Sequence, residues 1–562
     1  MNTFLKTYRL ALTPLSPIHI GCDEDFEPTN YVIDDGVLYG FDPSRADLEE
    51  KHRTELSRLG LQADLLGIQQ FFRTNKQLFK IAADVLMPVS SGFAKEYEQK
   101  LGQVVQRESE RKNVFNKLVV ERAITTGATR TPFIPGSSLK GALRTSHLNN
   151  INKGNPVQYG ENDPKHGAAK LEKRLYEEKD FDMSPMRLVK VGDLMAKPDL
   201  DRSIVYAVMR RKRLVRDPAS GEEKTTQDNL ATRKEVILQG QYRSLTGQLS
   251  IMLLGDIPES DKTPKKRLQP TDVTALVRAS NAYHLPKLEE EIKLLDSRRF
   301  SNESWMVSIK KLLAGELGAK IKAGSACLVR LGRYGGAETK TLDGIRSIHI
   351  PQAKRPEDKY VSSSHCIWLA ANDPKARSDM LPFGWAVLEI DPVSDLPDLK
   401  TWCDNQSKGP RDMAQLRQQF AAEKAAAQQR KADKATQAAA QSSAREAARQ
   451  AEEQAAEQRA QALASMTAQG QLIETLRQQC EDWETKITSG NFKKQSCEPG
   501  KPGPLYQEAS KLVPVALGSA DWSAGDKKAL ADMLEQWLPK VLTPWDAKEQ
   551  RKKLKFAALR GQ

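Results

Sequence analysis

A turn followed by a helix start carries side chains that could bind phosphate. This segment reads TPFIPGSSLKGALRTS over residues 131–146, and its Pro135-Gly136 dipeptide predicts the turn. A serine at the next positions can cap the helix, and free amides in the first turn attract anions. The polar residues near the helix start are Ser137, Ser138, Lys140 and Arg144. The segment predicts a site for phosphate or an acidic partner, although a capped helix buried for packing would have the same sequence.

A glycine-rich stretch, LGRYGGAETKT at residues 331–341, is a second candidate for binding. Its glycines would let the backbone approach a ligand closely, while an arginine and a tyrosine supply charge and a stacking face. These residues are Gly332, Arg333, Tyr334, Gly335 and Gly336. The order differs from that of a G-x-x-x-x-G-K-[ST] phosphate loop. A hairpin turn is the other interpretation of the same residues.

A basic run, MRRKRLVR at residues 209–216, follows a predicted strand and could line a path for phosphates. Its cations are Arg210, Arg211, Lys212 and Arg213. A solvated hairpin tip would have the same composition. A shorter run, Lys265-Lys266-Arg267, lies in a stretch that resembles an exposed loop.

His19 is the residue with the strongest potential for catalysis. It lies in Ser16–Gly21 just after the first predicted strand, where an imidazole could act as a general acid or base. Metal-independent RNA cleavage would need such a group, but a hydrogen-bonded histidine at a strand end is the favoured interpretation. The Asp-x-Asp pairs lack the context of a metal site, and no G-x-S-x-G motif occurs. We therefore expect a protein that is not an enzyme and that has no metal and no cofactor.

The composition favours a polyanionic partner. The chain has 562 residues and a formal net charge of +13, from 86 Lys+Arg and 73 Asp+Glu. Its six cysteines are spaced singly, which argues against a zinc site and a disulfide framework. No stretch of roughly 18 apolar residues could cross a bilayer. These features predict a cytoplasmic protein with no membrane contact.

The elements that would position these residues alternate between strands and helices. Period-two patterning predicts a strand at Lys6–Thr13, and Asp35-Gly36 predicts a tight turn in a hairpin over Thr29–Phe41. Helical spacing follows over 45–122 and again over 276–317. The remaining strand predictions are 187–191, 203–208, 235–254 with a turn at 245–247, 326–331, 345–350 and 384–390. The pattern predicts an α+β fold with two ferredoxin-like modules, over 1–200 and 201–404, and helical insertions.

The C-terminal part has a different composition. Residues 411–470 include 21 alanines with no proline and no glycine before Gly470, which predicts a helix. No large apolar residue lies between Phe420 and Leu463, so this helix has no wide stripe to bury. We expect a solvated helical spacer over 405–470, with an alanine-seamed coiled coil as the alternative. Apolar residues return over 471–562 and predict a small all-α domain.

Several of these stretches together resemble the RAMP superfamily. LTPLSPIHIGCDEDFEPTNYVIDDGVLYGFDP is similar to the family's N-terminus, FIPGSSLKGALRTS to its helix-entry motif and LGRYGGAETKT to its C-terminal glycine-rich loop. MRLVKVGD at 186–193 resembles the following strand, with Gly192 where the family pattern leads us to expect a serine, and PFGWAVLEI at 382–390 resembles the closing strand. The motifs run in family order from residue 1 to about 395. Length and the EPTNYVID hairpin look most like the subunit that caps the guide RNA 3′ end in type III-A CRISPR (Csm) complexes.

The resemblance implies two ferredoxin-like (RRM-like) modules and a non-catalytic, crRNA-binding role in antiviral defence. It implies contact with the neighbouring backbone RAMP subunit and other effector subunits, and assistance to host nucleases that trim the guide. Carried onto this chain, guide contact falls on the glycine-rich loop, Lys140 and Arg144, with His19 and Arg122 nearby. The resemblance does not extend over 405–562, which could dock on a helical subunit or replace one. Two other functions stay open: a metal-independent endoribonuclease acting on precursor guide RNA through His19, and a protein-binding structural adaptor.

Overall fold

The computed structural model of the chain describes residues 4–107, 113–115, 118–127, 130–155, 167–216, 231–260, 262–350, 360–406, 412–490 and 492–562. The chain forms two units, Met1–Gln428 and Gln429–Gln562. No helix in these described ranges is both long enough and apolar enough to span a bilayer.

The first unit contains most of the strands. In chain order they are β1 (Leu5–Pro14), β2 (Gly21–Phe26), β3 (Tyr31–Asp34), β4 (Val37–Gly40), β5 (Val85–Pro88), β6 (Val104–Arg107), β7 (Asn113–Phe115), β8 (Val120–Ala123), β9 (Thr125–Thr126), β10 (Thr131–Ile134), β11 (Val189–Val191), β12 (Leu194–Ala196), β13 (Arg202–Arg211), β14 (Thr232–Ile237), β15 (Leu245–Met252), β16 (Ala326–Arg330), β17 (Ile348–His349), β18 (Tyr360–Val361), β19 (Cys366–Ala371), β20 (Leu381–Pro382) and β21 (Trp385–Ile390).

Helices are inserted between these strands. They are α1 (Glu50–Leu61), α2 (Leu65–Thr74), α3 (Lys76–Ala82), α4 (Ser91–Lys100), α5 (Gly136–Asn152), α6 (Gly167–Tyr176), α7 (Val273–Ser297), α8 (Glu303–Ala314), α9 (Glu316–Ala323) and α10 (Pro397–Asp404), followed by the long α11 (Met413–Ala464).

The larger sheet has the first strand of the chain near its centre. Its order is β16-β21-β1-β15-β12-β10-β9, and β11 also pairs with β15. Strand β1 is antiparallel to both neighbours, β15 and β21. Leu10 and Leu12 are buried on the face that packs against α5 and α7, as the period-two pattern predicts.

The second large sheet has the order β2-β8-β14-β13-β19-β20. Its side chains share a core with the larger sheet and with α8, through residues such as Tyr206, Leu369, Trp385 and Ile309. Strands from both sides of residue 200 therefore occur in each large sheet. The α+β class is confirmed, whereas the division into two ferredoxin-like modules stays a prediction.

A small sheet, β3-β4-β5, lies beside the two large ones. Its predicted tight turn is confirmed, because Asp35 and Gly36 both have positive φ, at 50° and 74°. The first turns of α11 pack on this sheet, where Phe420 lies 5.9 Å from Tyr39 between ring centroids.

The second unit begins within α11. It continues with α12 (Ala468–Thr488), β22 (Gln495–Ser496), α13 (Pro504–Gly518), α14 (Ala524–Val541), β23 (Leu542–Thr543), α15 (Ala547–Lys553) and α16 (Phe556–Leu559). Leu476, Ala509, Leu534 and Leu538 lie in its own hydrophobic core. The two short strands pair with each other, so the domain is helical with one small parallel bridge.

Several predicted boundaries were wrong. The region 45–122 is not helical throughout, because β5 and β8 lie within it. A short 3₁₀ helix, Pro185–Leu188, precedes β11, and only Ile348–His349 forms a strand within 345–350. Residues 245–247 begin β15 rather than form a turn, since the chain reverses before Leu245. These errors lie where the partner strand is distant in sequence, so that local patterns carry little information about pairing.

Candidate nucleic-acid interface

The glycine-rich loop leaves the end of β16 and packs against the turn after β1. Gly332 has φ +80°, and a Cβ there would overlap the carbonyl oxygen of His19. The next amide, Arg333 N, donates to the same oxygen at 2.9 Å. Only glycine fits this close approach without strain, so the backbone of the loop is fixed against His19.

The turn at residues 17–21 also connects the two large sheets. Ile18 exchanges backbone hydrogen bonds with Ile237 of β14, at 3.0 and 2.9 Å. On its other side, the amide of Gly384 donates to the Pro17 carbonyl at 2.8 Å. We call this region, comprising residues 17–21, 121, 234–235 and 331–334, the sheet junction.

Arg333 projects from the loop at the edge of the sheet junction. Its side chain is 50% exposed. One guanidinium nitrogen lies 3.2 Å from Asp23 Oδ1, and another lies 3.4 Å from Glu121 Oε2. Both carboxylates are at least partly open to solvent, so the guanidinium is available for exchange with another anion.

A buried lysine lies behind Arg333. Lys234 of β14 is 1% exposed, forms an ion pair with Glu121 and lies 5.4 Å from the centroid of the Tyr334 ring. Burial, and to a smaller extent the Arg333 guanidinium, lowers the pKa of Lys234 to about 8. The adjacent Glu235 is also buried and pairs with Arg202 at 2.7 Å. Sequence reasoning missed Lys234 and Glu235, although consecutive charges at the start of the predicted strand 235–254 could have drawn attention to them.

His19 is fully buried at the sheet junction. Its Nδ1 lies 2.7 Å from the Glu235 carbonyl oxygen, so Nδ1 carries the proton and donates. Nε2 is buried without a hydrogen-bond partner among the described residues and lies 3.9 Å from Glu121. Burial lowers the pKa of His19 to about 4. The ring is therefore neutral at pH 7 and enclosed by protein, as expected for a hydrogen-bonded strand-end histidine.

Two further histidines have a similar environment. Burial lowers the pKa of His147 to about 4 and that of His284 to about 3. His147 contacts Tyr176, and His284 contacts Ser280. We refer to His19, His147 and His284 as the buried histidines.

The helix-entry segment starts α5 at Gly136, with Pro135 as its N-cap residue. The prediction that Ser137 or Ser138 caps this helix was wrong, because neither hydroxyl does so. The carboxylate of Asp193 accepts a hydrogen bond from the Gly136 amide instead, at 2.7 Å. An acidic residue from the loop between β11 and β12 thus already occupies part of this helix terminus.

The two cations of α5 have different surroundings. Arg144 pairs with Glu172 and lies 5.5 Å from the centroid of the Tyr176 ring. Lys140 is half-buried and has no ion-pair partner among the described residues. Burial, followed by the nearby charges of Lys190 and Arg144, lowers the pKa of Lys140.

The basic run has a mixed role. Arg210 is 4% exposed and its guanidinium donates to the carbonyls of Pro374 and Ala376, so it stabilises a loop and does not face a ligand. Lys212 pairs with Glu338 at 2.6 Å. Arg211 and Arg213 are exposed. Only part of this run can therefore reach RNA, because the strand alternates the direction of its side chains.

Arg122 is largely enclosed. Its side chain is 11% exposed, pairs with Glu24 and lies 4.7 Å from the centroid of the Phe26 ring. Its main contribution in this structure is to hold β8 against β2.

A cavity of ≈ 220 Å³ lies on the other side of the glycine-rich loop, lined in part by Gly335 and Gly336. Arg330 and Glu291, each 8% exposed, form a buried ion pair beneath it. Glu338 lies at the edge of the cavity. Burial alone would raise the pKa of Glu338, but the hydrogen bonds and charge of Lys212, together with Ser364, lower it to about 2. The cavity wall is thus charged but internally paired.

The sheet junction presents one half-exposed guanidinium, from Arg333, and one buried, neutral imidazole, from His19. In the described ranges no three His, Cys, Asp or Glu side chains gather to hold a metal ion. The structure brings Gly332, Arg333 and His19 together at the sheet junction, whereas Lys140 and Arg144 belong to α5.

Comparison with known proteins gives matches of different extent. The pattern of the RAMP superfamily matches residues 11–324. A protein of Methanocaldococcus jannaschii described as CRISPR system Cms protein Csm5 is 28% identical over 138 residues. That match covers 24% of this chain and 29% of the relative, so it spans less than a third of the relative's length.

Two solved structures align with 68% of this chain and with the whole of their own chains. One is a chain of a Csm–crRNA–target RNA ternary complex of a type III-A CRISPR-Cas system, with 16% identity and a TM-score of 0.38. The other is T. onnurineus Csm5, with 15% identity and a TM-score of 0.39.

Proposed function

This chain belongs to the RAMP superfamily, and from that premise we propose that it is a non-catalytic crRNA-binding subunit of a type III-A CRISPR effector complex. In this role it caps the 3′ end of the guide. The observation that carries the proposal is the glycine-rich loop, which fixes Gly332 against His19 and holds Arg333 half-exposed at the sheet junction. The partial relative described as a CRISPR system protein supports the same assignment.

The charges of the sheet junction suit the binding of one phosphate. Asp23, which is 89% exposed, is a weak partner for Arg333 because solvent screens the pair. Glu121 retains Lys234 as a second partner. A phosphate can therefore replace Asp23 and form charge-assisted hydrogen bonds with the guanidinium, without leaving a buried carboxylate unpaired.

Contact through phosphates is appropriate to a subunit that must accept guides of different sequence. Phosphate contacts fix register and orientation but carry no sequence information. The backbone amides of the loop can add contacts that any nucleotide accepts, whereas the Tyr334 ring packs against Trp368 and Phe383. Binding should therefore depend steeply on salt and weakly on sequence.

The burial of His19 argues against the endoribonuclease alternative. A general base must come within hydrogen-bond distance of the proton that it removes. The His19 ring is 0% exposed and its Nδ1 proton is held by Glu235 O. Cleavage through this residue would require the sheet junction to open.

The partners of the proposed subunit are crRNA, the neighbouring backbone RAMP subunit and other effector subunits, with host nucleases acting on the guide end. For residues 405–562 we propose docking on a helical subunit, or replacement of one. A deletion of these residues that leaves complex composition unchanged would exclude that role.

The proposal is tested with purified protein and labelled guide RNA in EDTA. Filter retention should show salt-sensitive binding without cleavage, and a 3′→5′ exonuclease should be blocked at the guide end. Arg333→Ala should weaken binding and reduce the slope of log affinity against log salt by about 0.7, the value for one single-strand phosphate contact. Lys322→Ala on α9, an exposed lysine, is the matched control.

Each contrary outcome has a separate meaning. Discrete cleavage that His19→Ala abolishes would replace the capping role with guide processing. Absence of both binding and cleavage would favour the adaptor. Binding without protection of the 3′ end would retain an RNA-binding subunit but remove end capping.

A further inference from the structure

One face of the larger sheet is open to solvent over the half formed by β10, β11, β12, β15 and β1. Its other face is covered by α5 and α7, which pack on Leu10, Leu249 and Ile251. The residues that alternate with this core point away from it, because successive side chains of a strand lie on opposite faces. The exposed or partly exposed ones are Thr7, Arg9, Phe133, Lys190, Met195, Thr246, Gln248 and Ser250, and we call them the open sheet face. Ala11 points the same way but is only 4% exposed.

We propose that the open sheet face is a second binding platform for single-stranded RNA. The proposal concerns residues outside the sheet junction and goes beyond guide binding there.

An apolar row crosses the sheet at one end of this face. Phe133 is paired with Met195, and Met195 with Thr246 on the next strand. Met195 is 42% exposed, and neither Phe133 nor Met195 belongs to a described hydrophobic cluster. A partly buried ring beside an exposed thioether on adjacent strands can stack against bases.

Hydroxyl and amide groups occupy the middle of the face. Thr7 and Ser250 are paired and share a hydrogen bond of 2.9 Å, while Gln248 lies opposite Arg9. Thr246 and Gln248 are exposed. These groups can donate to and accept from ribose and base edges.

One exposed cation lies at the end away from the apolar row, and Arg9, which pairs with Asp391, lies between the two ends. Lys190 is exposed, lies opposite Ser250 and has no ion-pair partner among the described residues. Lys140 of α5 is close enough for the two ammonium groups to repel, which contributes to the lowered pKa of Lys140. Along β15, the four residue steps from Ser250 to Thr246 span about 14 Å. The face therefore offers a phosphate site and a stacking site at a separation that suits two or three nucleotides.

The same composition disfavours a protein partner. The centres of protein–protein interfaces are apolar and are depleted in lysine and serine. Here the centre consists of Thr7, Gln248 and Ser250, and the apolar row lies at one side. A duplex is also disfavoured, because its bases are already stacked and cannot reach a flat platform.

The test uses the full chain and a fluorescein-labelled oligouridine, with affinity measured by anisotropy over a salt series. Met195→Ser should weaken binding at least fivefold with little change in the salt slope, because it removes stacking contact. Lys190→Ala should lower the slope by about 0.7, as expected for one lost phosphate contact. Met466→Ser is a matched control, since Met466 is 41% exposed and lies in the second unit. Lys511→Ala, also in the second unit, is the control for charge.

Crosslinking locates the bound RNA independently of affinity. Oligouridine that contains 4-thiouridine should crosslink to peptides that include Phe133 or Met195. The same crosslinks should form in Arg333→Ala, because Arg333 belongs to the sheet junction, and this result would distinguish the platform from guide capping. Unchanged affinity in both variants with crosslinks only at the sheet junction would overturn the platform. So would equal competition by duplex RNA, or loss of a partner subunit from the assembled complex in Met195→Ser with RNA binding intact.

Discussion

Gly332 meets two requirements: its backbone is left-handed, and it lies very close to the carbonyl oxygen of His19. Replacement of Gly332 by alanine, compared with the same change at a glycine that meets only the first requirement, should measure the contribution of the close approach. Gly36 is a matched position, since it has φ +74° against +80° for Gly332 and no atom lies within 4 Å of a Cβ built there. A non-glycine residue in this conformation costs about 1–2 kcal/mol. At Gly332 the new methyl group would also overlap His19 O, and overpacking of this kind adds about 1–3 kcal/mol. We expect Gly36→Ala to lose about 1–2 kcal/mol of unfolding free energy and Gly332→Ala about 2–5 kcal/mol.

The assay is urea-dependent hydrogen exchange followed by mass spectrometry, because the chain has two units and a single unfolding curve would mix them. Peptides from β16 and the loop report on the Arg333 amide, which donates to His19 O. RNA affinity should fall in Gly332→Ala and stay unchanged in Gly36→Ala. Equal losses of stability in the two variants, or retained RNA affinity in a destabilised Gly332→Ala, would refute the reasoning.

Three further predictions concern stability. The buried histidines have folded pKa values below the unfolded value of 6.5, so the unfolded chain binds protons more tightly, and stability is lost as pH falls from about 6.5 towards 4. The loss at pH 5 is about 2 kcal/mol for each ring, and urea midpoints of first-unit peptides that do not change between pH 7 and pH 5 would contradict it. Glu291→Ala leaves the Arg330 guanidinium buried and unpaired, and it should lower the free energy of unfolding by about 3–5 kcal/mol. Glu453→Ala removes one partner of an exposed pair on α11 and should lower it by less than about 1 kcal/mol in the same assay. Truncation after Gln428 should preserve the melting temperature of the first unit. Truncation after Asp404 also removes the first turns of α11, which pack on the small sheet, and should lower that melting temperature. Equal melting temperatures for the two truncated chains would show that this packing is unimportant.

Features that depend on local chemistry could be predicted from the sequence. The Asp35-Gly36 turn follows from the left-handed preference of those residues, and α11 follows from an alanine-rich composition without helix breakers. The fully buried, hydrogen-bonded His19 also agrees with the interpretation that the sequence favoured. For the turn and for α11 the determining interactions lie within a few residues of chain, whereas the hydrogen-bond partner of His19 is 216 residues away.

Features that depend on distant residues could not be predicted. Asp193 takes the capping position at α5, and it lies 57 residues from Gly136 in sequence. The burial of Arg210 and the exposure of Arg211 follow from the register of β13 against β19, which the basic run does not encode. Lys234 acquires its importance only because β8 brings Glu121 beside it. The RNA-facing roles of the loop and of α5 stay predictions until the binding experiments are done.

The position of β1 has a consequence for synthesis of the chain. Both of its partners are made late, and β21 begins about 370 residues after β1 ends. At about 5–20 residues per second, a ribosome needs roughly 20–70 s to cover that distance. During this time at least one edge of β1 is unpaired, and other chains can pair with it. Cellular yield should therefore depend on chaperones that shield the N-terminus until translation reaches Trp385.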